Sequence, residues 1–259
     1  MEYFLELFLG GLTRGSIYAL IALGYTMVYG IIELINFAHG EIYMIGAFTA
    51  LIVVSVLTLL GWNSIAIILI AGLVAVIYSS AYGFTVEKIA YKPLRHAPRL
   101  SALISAIGMS LFLQNYVLLA QTSDFMPFPS LIPDFNFWEP YSHIISSAEL
   151  VIIITTTIVM ILLTFLIKFT RIGKAMRATA QDRDMAMLVG INVNRVISVT
   201  FIVGSATAAL GGVLIASHIG QINYYIGFIA GIKAFVAAVL GGIGSIPGAV
   251  LGSLVLGWT

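Results

Sequence analysis

The sequence predicts an all-α fold: a polytopic bundle of membrane helices with about seven complete spans and a truncated eighth. Of its 259 residues, 60% are apolar and only 9% are charged, whereas a soluble domain carries about 25% charged residues. The mean hydropathy is +1.07. Several uncharged runs reach the roughly 20 residues that a helix needs to cross the hydrocarbon core. These three observations place the chain in a bilayer.

Uncharged apolar runs locate the spans in order along the chain. After the first run, no charge occurs between Glu41 and Glu87, which leaves room for two helices separated by a turn at 61–64. The predicted spans are 15–32, 42–60, 65–86, 100–121, 150–167, about 196–217 and about 228–246. A last run, 248–259, has too few residues to cross. We therefore predict one membrane domain, 1–259, with a truncated C-terminus.

Basic residues are concentrated in two segments of the sequence. Segments 88–99 and 168–195 hold ten of the twelve lysines and arginines, and segment 122–149 has none and is acidic. By the positive-inside rule, the two basic segments face the cytoplasm and the acidic segment faces outward. Counting back through three helices then places the N-terminus outside, although Arg14 would lie at the outer interface against that rule.

The second basic segment is too polar to span, and it is predicted to carry a short amphipathic helix. The pattern in 173–180 predicts an extension of the fifth span. Asp182 or Asp184 can cap a new helix, about 183–189, by accepting backbone N–H bonds, and Gly190 suits the left-handed position that ends it. One apolar stripe is then formed by Met185, Leu188 and Val189. This stripe fits a helix resting on lipid headgroups or a lever that inserts into a cytoplasmic partner.

The segment INFAHGE, residues 35–41, places an amide, an imidazole and a carboxylate between two strongly apolar runs. A charged residue at a helix centre costs about 2.5–3.5 kcal/mol on insertion scales. One interpretation is a plain cytoplasmic turn with Glu33 and Glu41 both in water. The other is a discontinuous helix whose break lies deeper and lines a solute pathway, since irregular backbone at depth must be buried in protein or line a cavity. The predicted pathway residues are then Asn36, His39, Gly40 and Glu41.

A second apolar segment, 227–252, is interrupted by glycines and contains Lys233. Two interrupted segments in corresponding positions of two halves are typical of transport sites in repeat-built transporters. With 15–60 and 200–252 as candidate halves, Lys233 is predicted to be a further pathway residue. Small residues four apart also let membrane helices approach closely, and such helix packing is predicted for Gly244, Gly248 and Gly252.

Motifs for catalysis and for metal or nucleotide binding are missing from the sequence. There is no G-x-x-x-x-G-K-[ST] phosphate loop and no serine in G-x-S-x-G. The four histidines are scattered and have no metal-ligand spacing, and the absence of cysteine excludes disulfides and thiol catalysis. A net charge of +1 gives no reason to expect a nucleic-acid partner. The sequence therefore predicts a non-enzymatic membrane subunit without a bound cofactor or metal.

Four stretches carry a resemblance to a known family. They are GSIYALIALGYTMVYGIIELINFAHGEIYMIGAF (15–48), SALISAIGMSLFLQNYV (101–117), LVGINVNRVISVTFIVGSATAALGGVL (188–214) and YIGFIAGIKAFVAAVLGGIGSIPGAVLG (225–252). Together they resemble the permeases of bacterial branched-chain amino-acid ABC importers. The resemblance is to the first permease subunit of the high-affinity leucine, isoleucine and valine type, which is usually paired with a longer, related second subunit.

The resemblance implies an alternating-access importer in the bacterial inner membrane, with the N-terminus of this chain in the periplasm. A second permease subunit, two cytoplasmic ATPase subunits that bind ATP and magnesium, and a periplasmic substrate-binding protein would complete the importer. The family's coupling loop falls on Ala180–Val193, where the residues expected to contact the ATPase are Asp182, Arg183, Asp184 and Gly190. Gly190 matches the glycine of a degenerate form of the ABC permease motif that begins Glu-Ala-Ala.

Three other functions remain open at the level of the sequence. Within the importer class, the substrate could be urea, a short amide or another amino acid. Outside that class, the chain could be a secondary transporter or channel that works alone, or a purely structural membrane subunit. An ion gradient driving uptake by the chain alone would favour the transporter, whereas dependence on a separate ATPase would favour the importer.

Overall fold

A computed structural model describes residues 2–95, 97–130, 132 and 145–259 of the chain. Within these residues the helices are α1 (Glu2–Ile32), α2 (His39–Leu59), α3 (Ser64–Val86), α4 (Arg99–Ala120), α5 (Ser147–Phe169), α6 (Arg171–Gln181), α7 (Arg183–Leu188), α8 (Val193–Ile219), α9 (Ile226–Gly241) and α10 (Ile246–Gly257). Six of them, α1–α5 and α8, are long and apolar enough to cross a membrane, and α9 and α10 are shorter apolar helices. The predicted all-α, multi-pass membrane fold is confirmed.

Short polar side chains start several of these helices, as their positions in the sequence indicate. The Asn63 side chain accepts a hydrogen bond from the Ala66 amide at 2.7 Å at the start of α3. At the start of α5, Ser146 and Glu149 form a reciprocal capping box. Each cap satisfies backbone donors that the first turn of a helix leaves without partners.

The boundary after α5 differs from the prediction that 173–180 extends the fifth span. That helix ends at Phe169, and Thr170 takes an extended conformation and caps the separate helix α6. The Thr170 hydroxyl accepts from the Gly173 amide at 3.0 Å. A local side-chain cap therefore ends one helix and begins the next, where periodicity alone predicted continuation.

The predicted seventh span, about 228–246, also differs, because α9 ends at Gly241 and a turn separates it from α10, which begins at Ile246. Gly242 and Gly244 have φ angles of 87° and 96°, which glycine adopts without steric cost. Pro247 then lies in the first turn of α10, where its missing N–H costs nothing. The two helices form a hairpin that packs along α1.

The loop after α4 is attached to the turn after α8 by a small antiparallel pair of strands, β1 (Met126–Pro127) and β2 (Gln221–Ile222). The Phe128 amide extends this pairing by donating to the Gly220 carbonyl at 2.9 Å. The rest of the acidic loop, residues 131 and 133–144, lies outside the described residues, so its predicted outward position is untested.

The two ends of the bundle differ in composition. We call the end that carries α6, α7 and the turns at Glu87–Leu94 the basic end, and the end that carries β1 and β2 the strand end. The most deeply buried helices between these ends are α1, α2 and α8, which surround a core of fully buried side chains. The break between α1 and α2 lies in this core.

Candidate functional site

The INFAHGE segment is a true interruption between two helices. Helix α1 ends at Ile32, and helical structure resumes only at His39. Glu33 has a left-handed φ of 54°, a conformation that costs a non-glycine residue about 1–2 kcal/mol. The His39 amide then donates to the Asn36 carbonyl at 3.0 Å, forming the turn that starts α2.

From Asn36 onward the break is largely buried within the bundle, whereas Glu33 at its start is exposed. The side chains of Asn36, His39 and Glu41 are at most 2% exposed. A Cβ atom added at Gly24 would collide with the His39 ring and lie 2.9 Å from the Gly204 carbonyl oxygen, so His39 lies between α1 and α8. Gly24 and Gly204 are both well inside their helices. The interpretation as a plain turn with Glu33 and Glu41 both in water is therefore wrong for Glu41, because packing against α8 and α9 buries this part of the segment. Glu33 is exposed, as that interpretation expected.

Two distant side chains donate hydrogen bonds to this break. The Tyr91 hydroxyl, in the π-helical turn that follows α3, lies 3.0 Å from Asn36 Oδ1 and 3.2 Å from the Ile35 carbonyl oxygen. The Ser110 hydroxyl of α4 donates to Glu41 Oε1 at 3.0 Å. These bonds connect the break to α3 and α4 as well as to α1 and α8.

Three buried polar atoms at the break have no protein partner among the described residues: Asn36 Nδ2, His39 Nε2 and Glu41 Oε2. A buried polar group without a hydrogen bond costs about 1–3 kcal/mol, and a charged one costs more. Polar residues inside a membrane protein usually mark a functional pathway when the fold accepts such a cost. The cluster is therefore the strongest functional candidate within the core.

Replacing Tyr91 with phenylalanine removes the hydroxyl and leaves Asn36 Oδ1 buried without its donor. We expect the unfolding midpoint of the purified protein to fall by about 2–6 °C, as a loss of roughly 1–2 kcal/mol implies. Thermal unfolding in detergent measures this shift. Tyr225→Phe is the matched control, because Tyr225 is 40% exposed. Equal midpoints for the two variants would contradict the role given to the Tyr91 hydroxyl.

The predicted pathway residues of the break line none of the five best-defined cavities in the described part of the chain. Gly40 instead packs against α9, where an added Cβ would collide with the Gly227 carbonyl and lie 2.8 Å from Gly231 Cα. The pathway role of Asn36, His39, Gly40 and Glu41 stays a prediction.

Lys233, the fifth predicted pathway residue, lies apart from the break, on an exposed face of α9. It is the eighth of the sixteen residues of that helix, and its ammonium group bonds to the Tyr18 hydroxyl of α1 at 3.2 Å. A lysine facing lipid at the centre of a span costs about 2.5–3.5 kcal/mol. This face of α9 is therefore expected to contact water or another protein chain.

The predicted short helix at the basic end is confirmed as α7. Asp182 caps it, since its Oδ1 accepts from the amides of Asp184 at 2.9 Å and Met185 at 3.0 Å. Gly190 follows the helix with a left-handed φ of 84°. The apolar stripe points away from the chain, with exposed fractions of 60%, 78% and 75% for Met185, Leu188 and Val189.

Arg183 connects this exposed helix to the end of α1, next to the break. Its guanidinium donates to the Ile31 carbonyl at 3.0 Å, one of the carbonyls that the last turn of α1 leaves without a helical partner. Ile31 lies two residues before the left-handed turn at Glu33. A polar cavity of about 320 Å³ lies beside this bond and is lined by Glu33, Arg95 and Asp182. Sequence reasoning assigned Arg183 to the coupling loop but had no signal for its partner, because 152 positions separate the two residues.

A buried ion pair at the basic end was also missed from the sequence. Glu87 is fully buried and pairs with Arg95, and its second oxygen accepts from the Ser198 hydroxyl at 2.9 Å. Arg95 also bonds to Asn194. This network fixes the end of the α3 segment to the first turns of α8.

The predicted packing glycines divide into two groups. Gly248 and Gly252 bring α10 against α9, because a Cβ added at either would collide with the carbonyl of Gly241 or Ala237. Gly244 does not have the predicted packing role. It lies in the turn before α10, a Cβ there would meet nothing within 4 Å, and its left-handed φ explains the glycine instead.

A multi-pass helical bundle, a polar break between two of its helices and an exposed capped helix at one end are features expected of a membrane transport protein. The chain belongs to the family described as the permease component of branched-chain amino acid transport systems, which matches residues 7–259. The predicted family is therefore confirmed.

Two relatives match almost the whole chain at high identity. The chain is 52% identical over 262 residues to the high-affinity branched-chain amino acid transport system permease protein LivH of Salmonella typhimurium, covering 98% of this chain and 84% of the relative. It is 51% identical over 259 residues to the corresponding protein BraD of Pseudomonas aeruginosa, with the same coverage. A fructose import permease protein of Rhizobium meliloti is 31% identical over only 37% of this chain and 28% of the relative. No solved structure gives a significant match.

Proposed function

We propose that this chain is the membrane permease subunit of an ATP-binding-cassette importer for leucine, isoleucine and valine. The observation that carries the proposal is the identity of 51–52% over 98% of the chain to permeases named for high-affinity branched-chain amino acid transport. The relative named for fructose import covers only 37% of the chain. Similarity over the full length thus supports the branched-chain substrate over a sugar.

The proposed assembly contains a second permease subunit, two cytoplasmic ATPase subunits and a periplasmic binding protein, in a bacterial inner membrane. ATP and magnesium are bound by the ATPase subunits, and this chain has a transport role. Helix α7 is the proposed ATPase contact, because its apolar stripe is exposed and has no partner within the described chain. The Asp182 carboxylate is occupied by the helix cap, so Asp184 and the apolar stripe supply the contact surface.

The proposed mechanism is alternating access. Closure of the ATPase dimer moves α7, and the bond from Arg183 to the Ile31 carbonyl transfers this movement to the end of α1. The neighbouring turn at Glu33 leads directly into the buried break. When the bundle opens, water can hydrogen-bond to the unpaired atoms of Asn36, His39 and Glu41. These bonds offset the free-energy cost of burying those atoms without partners.

Reconstitution into liposomes tests this function. We expect uptake of radiolabelled leucine that requires the ATPase subunits, the binding protein and internal ATP. The matched control replaces leucine with urea under the same conditions, and we expect no uptake. Uptake by this chain alone under an ion gradient would contradict the importer, and preferential uptake of urea would contradict the substrate class.

A further inference from the structure

An open cavity of about 240 Å³ lies at the strand end, between α1 and α9. Arg14, Ile17 and Tyr18 line it from α1, and Ile226, Ile229 and Ala230 line it from α9. The residues from α9 are spaced i, i+3 and i+4, so they form one face of that helix. The next position on the same face, at i+7, is Lys233.

Two cations, one on α1 and one on this face of α9, have no acidic partner among the described residues. Arg14 lines the cavity and is exposed, and it has no ion pair among the described residues, where the only salt bridge joins Arg95 to Glu87. Within the described part of the chain Lys233 bonds to the hydroxyl of Tyr18 alone, and its ammonium lies 5.5 Å from the centre of that ring. Tyr18 thus connects the cavity to Lys233 one turn deeper in the bundle.

We propose that this cavity receives the amino acid from the strand end, with the substrate carboxylate passing from Arg14 to Lys233. The isoleucine side chains of the lining suit a branched aliphatic side chain, and the two cations suit a carboxylate. Gln221 at the rim supplies an amide oxygen for the substrate ammonium group. This inference rests on the proposed function and names the positions at which the substrate first contacts this chain.

A carboxylate at this site has two sources: the free amino acid or an acidic side chain of the partner permease. The free amino acid is favoured because Arg14 lines an open cavity with a mostly apolar lining, and Tyr18 of that lining bonds to Lys233. A partner carboxylate would pair with Lys233 permanently and hold the two permeases together. Removing the charge of Lys233 therefore distinguishes the two sources. It should separate the two permeases only if the carboxylate belongs to the partner permease.

The first experiment measures the electrostatic potential in the cavity by comparing the rates at which charged reagents label a thiol. The chain contains no cysteine, so Ile229→Cys, at a position that is 49% exposed, introduces its only thiol. In the assembled importer we expect an anionic methanethiosulfonate to react faster than a cationic one, and leucine at saturating concentration to slow both. Adding Arg14→Gln and Lys233→Gln should reduce the anionic preference by about tenfold, the lower end of electrostatic steering.

The second experiment measures leucine uptake in the reconstituted importer. Lys233→Gln should lower uptake by about tenfold, the equivalent of one charge-assisted hydrogen bond, while Lys233→Arg retains most of it. Lys92→Gln, which removes an exposed cation at the basic end, is the matched control and should leave uptake unchanged. Co-purification of the subunits is measured for every variant.

Three results would overturn the inference: a cationic reagent that reacts as fast as the anionic one at Ile229→Cys, unchanged uptake in Lys233→Gln, or loss of the permease pair in that variant. The last result would assign the carboxylate to the partner permease. Failure of the proposed function looks different, because the unmodified importer would then take up no leucine while the labelling still showed the anionic preference.

Discussion

Replacing Gly40 with valine should strongly destabilise the bundle. A Cβ atom at this position would collide with the Gly227 carbonyl oxygen and lie 2.8 Å from Gly231 Cα. Both obstacles are backbone atoms of α9, so no side-chain rotation relieves them. We expect a loss of roughly 3 kcal/mol or more, at the upper end of overpacking, and an unfolding midpoint lowered by roughly 10 °C.

Thermal unfolding and size-exclusion chromatography in detergent measure this effect. Gly108→Val is the matched control, because Gly108 lies on the exposed side of α4 and an added Cβ meets nothing within 4 Å. That variant should unfold near the temperature of the unmodified chain. A Gly40→Val protein that is as stable as Gly108→Val would show that α2 and α9 do not approach this closely at the break.

Replacing Arg183 with glutamine should separate ATP hydrolysis from transport in the reconstituted importer. The guanidinium connects α7 to the Ile31 carbonyl at 3.0 Å, and a charge-assisted bond of this kind is worth about 1.5–3 kcal/mol. Its loss frees α7 from the end of α1, so a movement of α7 no longer reaches the break. We expect leucine transported per ATP hydrolysed to fall by about tenfold or more, and Arg183→Lys to restore part of it.

Arg177→Gln is the matched control for this prediction. Arg177 also carries a guanidinium that caps a helix end, since it donates to the Ile167 carbonyl at 2.6 Å and the Lys168 carbonyl at 3.1 Å at the end of α5. Among the described residues Arg177 has no hydrogen bond to α1 or to the break, so its loss should leave the transport ratio unchanged. Equal ratios for the Arg183 and Arg177 variants would remove the proposed link between α7 and the core.

Features set by neighbouring residues could be predicted from the sequence. The apolar runs located the spans to within a few residues at most ends, because burial in lipid depends on composition over a short window. Helix α7 was also predictable, since Asp182 caps it and Gly190 ends it within one short segment. Two local predictions were wrong. The side chain of Thr170 caps α6 and ends α5, where continuation was predicted. Gly244 lies in a turn with a left-handed φ, where a four-residue spacing predicted helix packing.

Features set by distant residues could not be predicted. The depth of the break depends on packing against Gly204 and Gly227, which lie far along the chain from His39 and Gly40. The partners of Asn36, Glu41 and Arg183 are likewise 55, 69 and 152 positions away. A single sequence contains the donors and acceptors but has no rule that pairs them across such distances. The polar residues of INFAHGE therefore indicated a site, and only the packed bundle located it.

The length of α9 has a consequence for the surrounding lipid. Sixteen residues rise about 24 Å along a helix, which is short of the roughly 30 Å of a typical hydrocarbon core. Its outward face also carries the exposed Lys233, so a lipid covering would add the cost of a charged group to a hydrophobic mismatch. We therefore expect the second permease subunit of the proposed importer to cover this face. With that subunit absent, the bilayer beside α9 has to thin, so we expect the acyl-chain length of the membrane to influence how firmly the two subunits hold together.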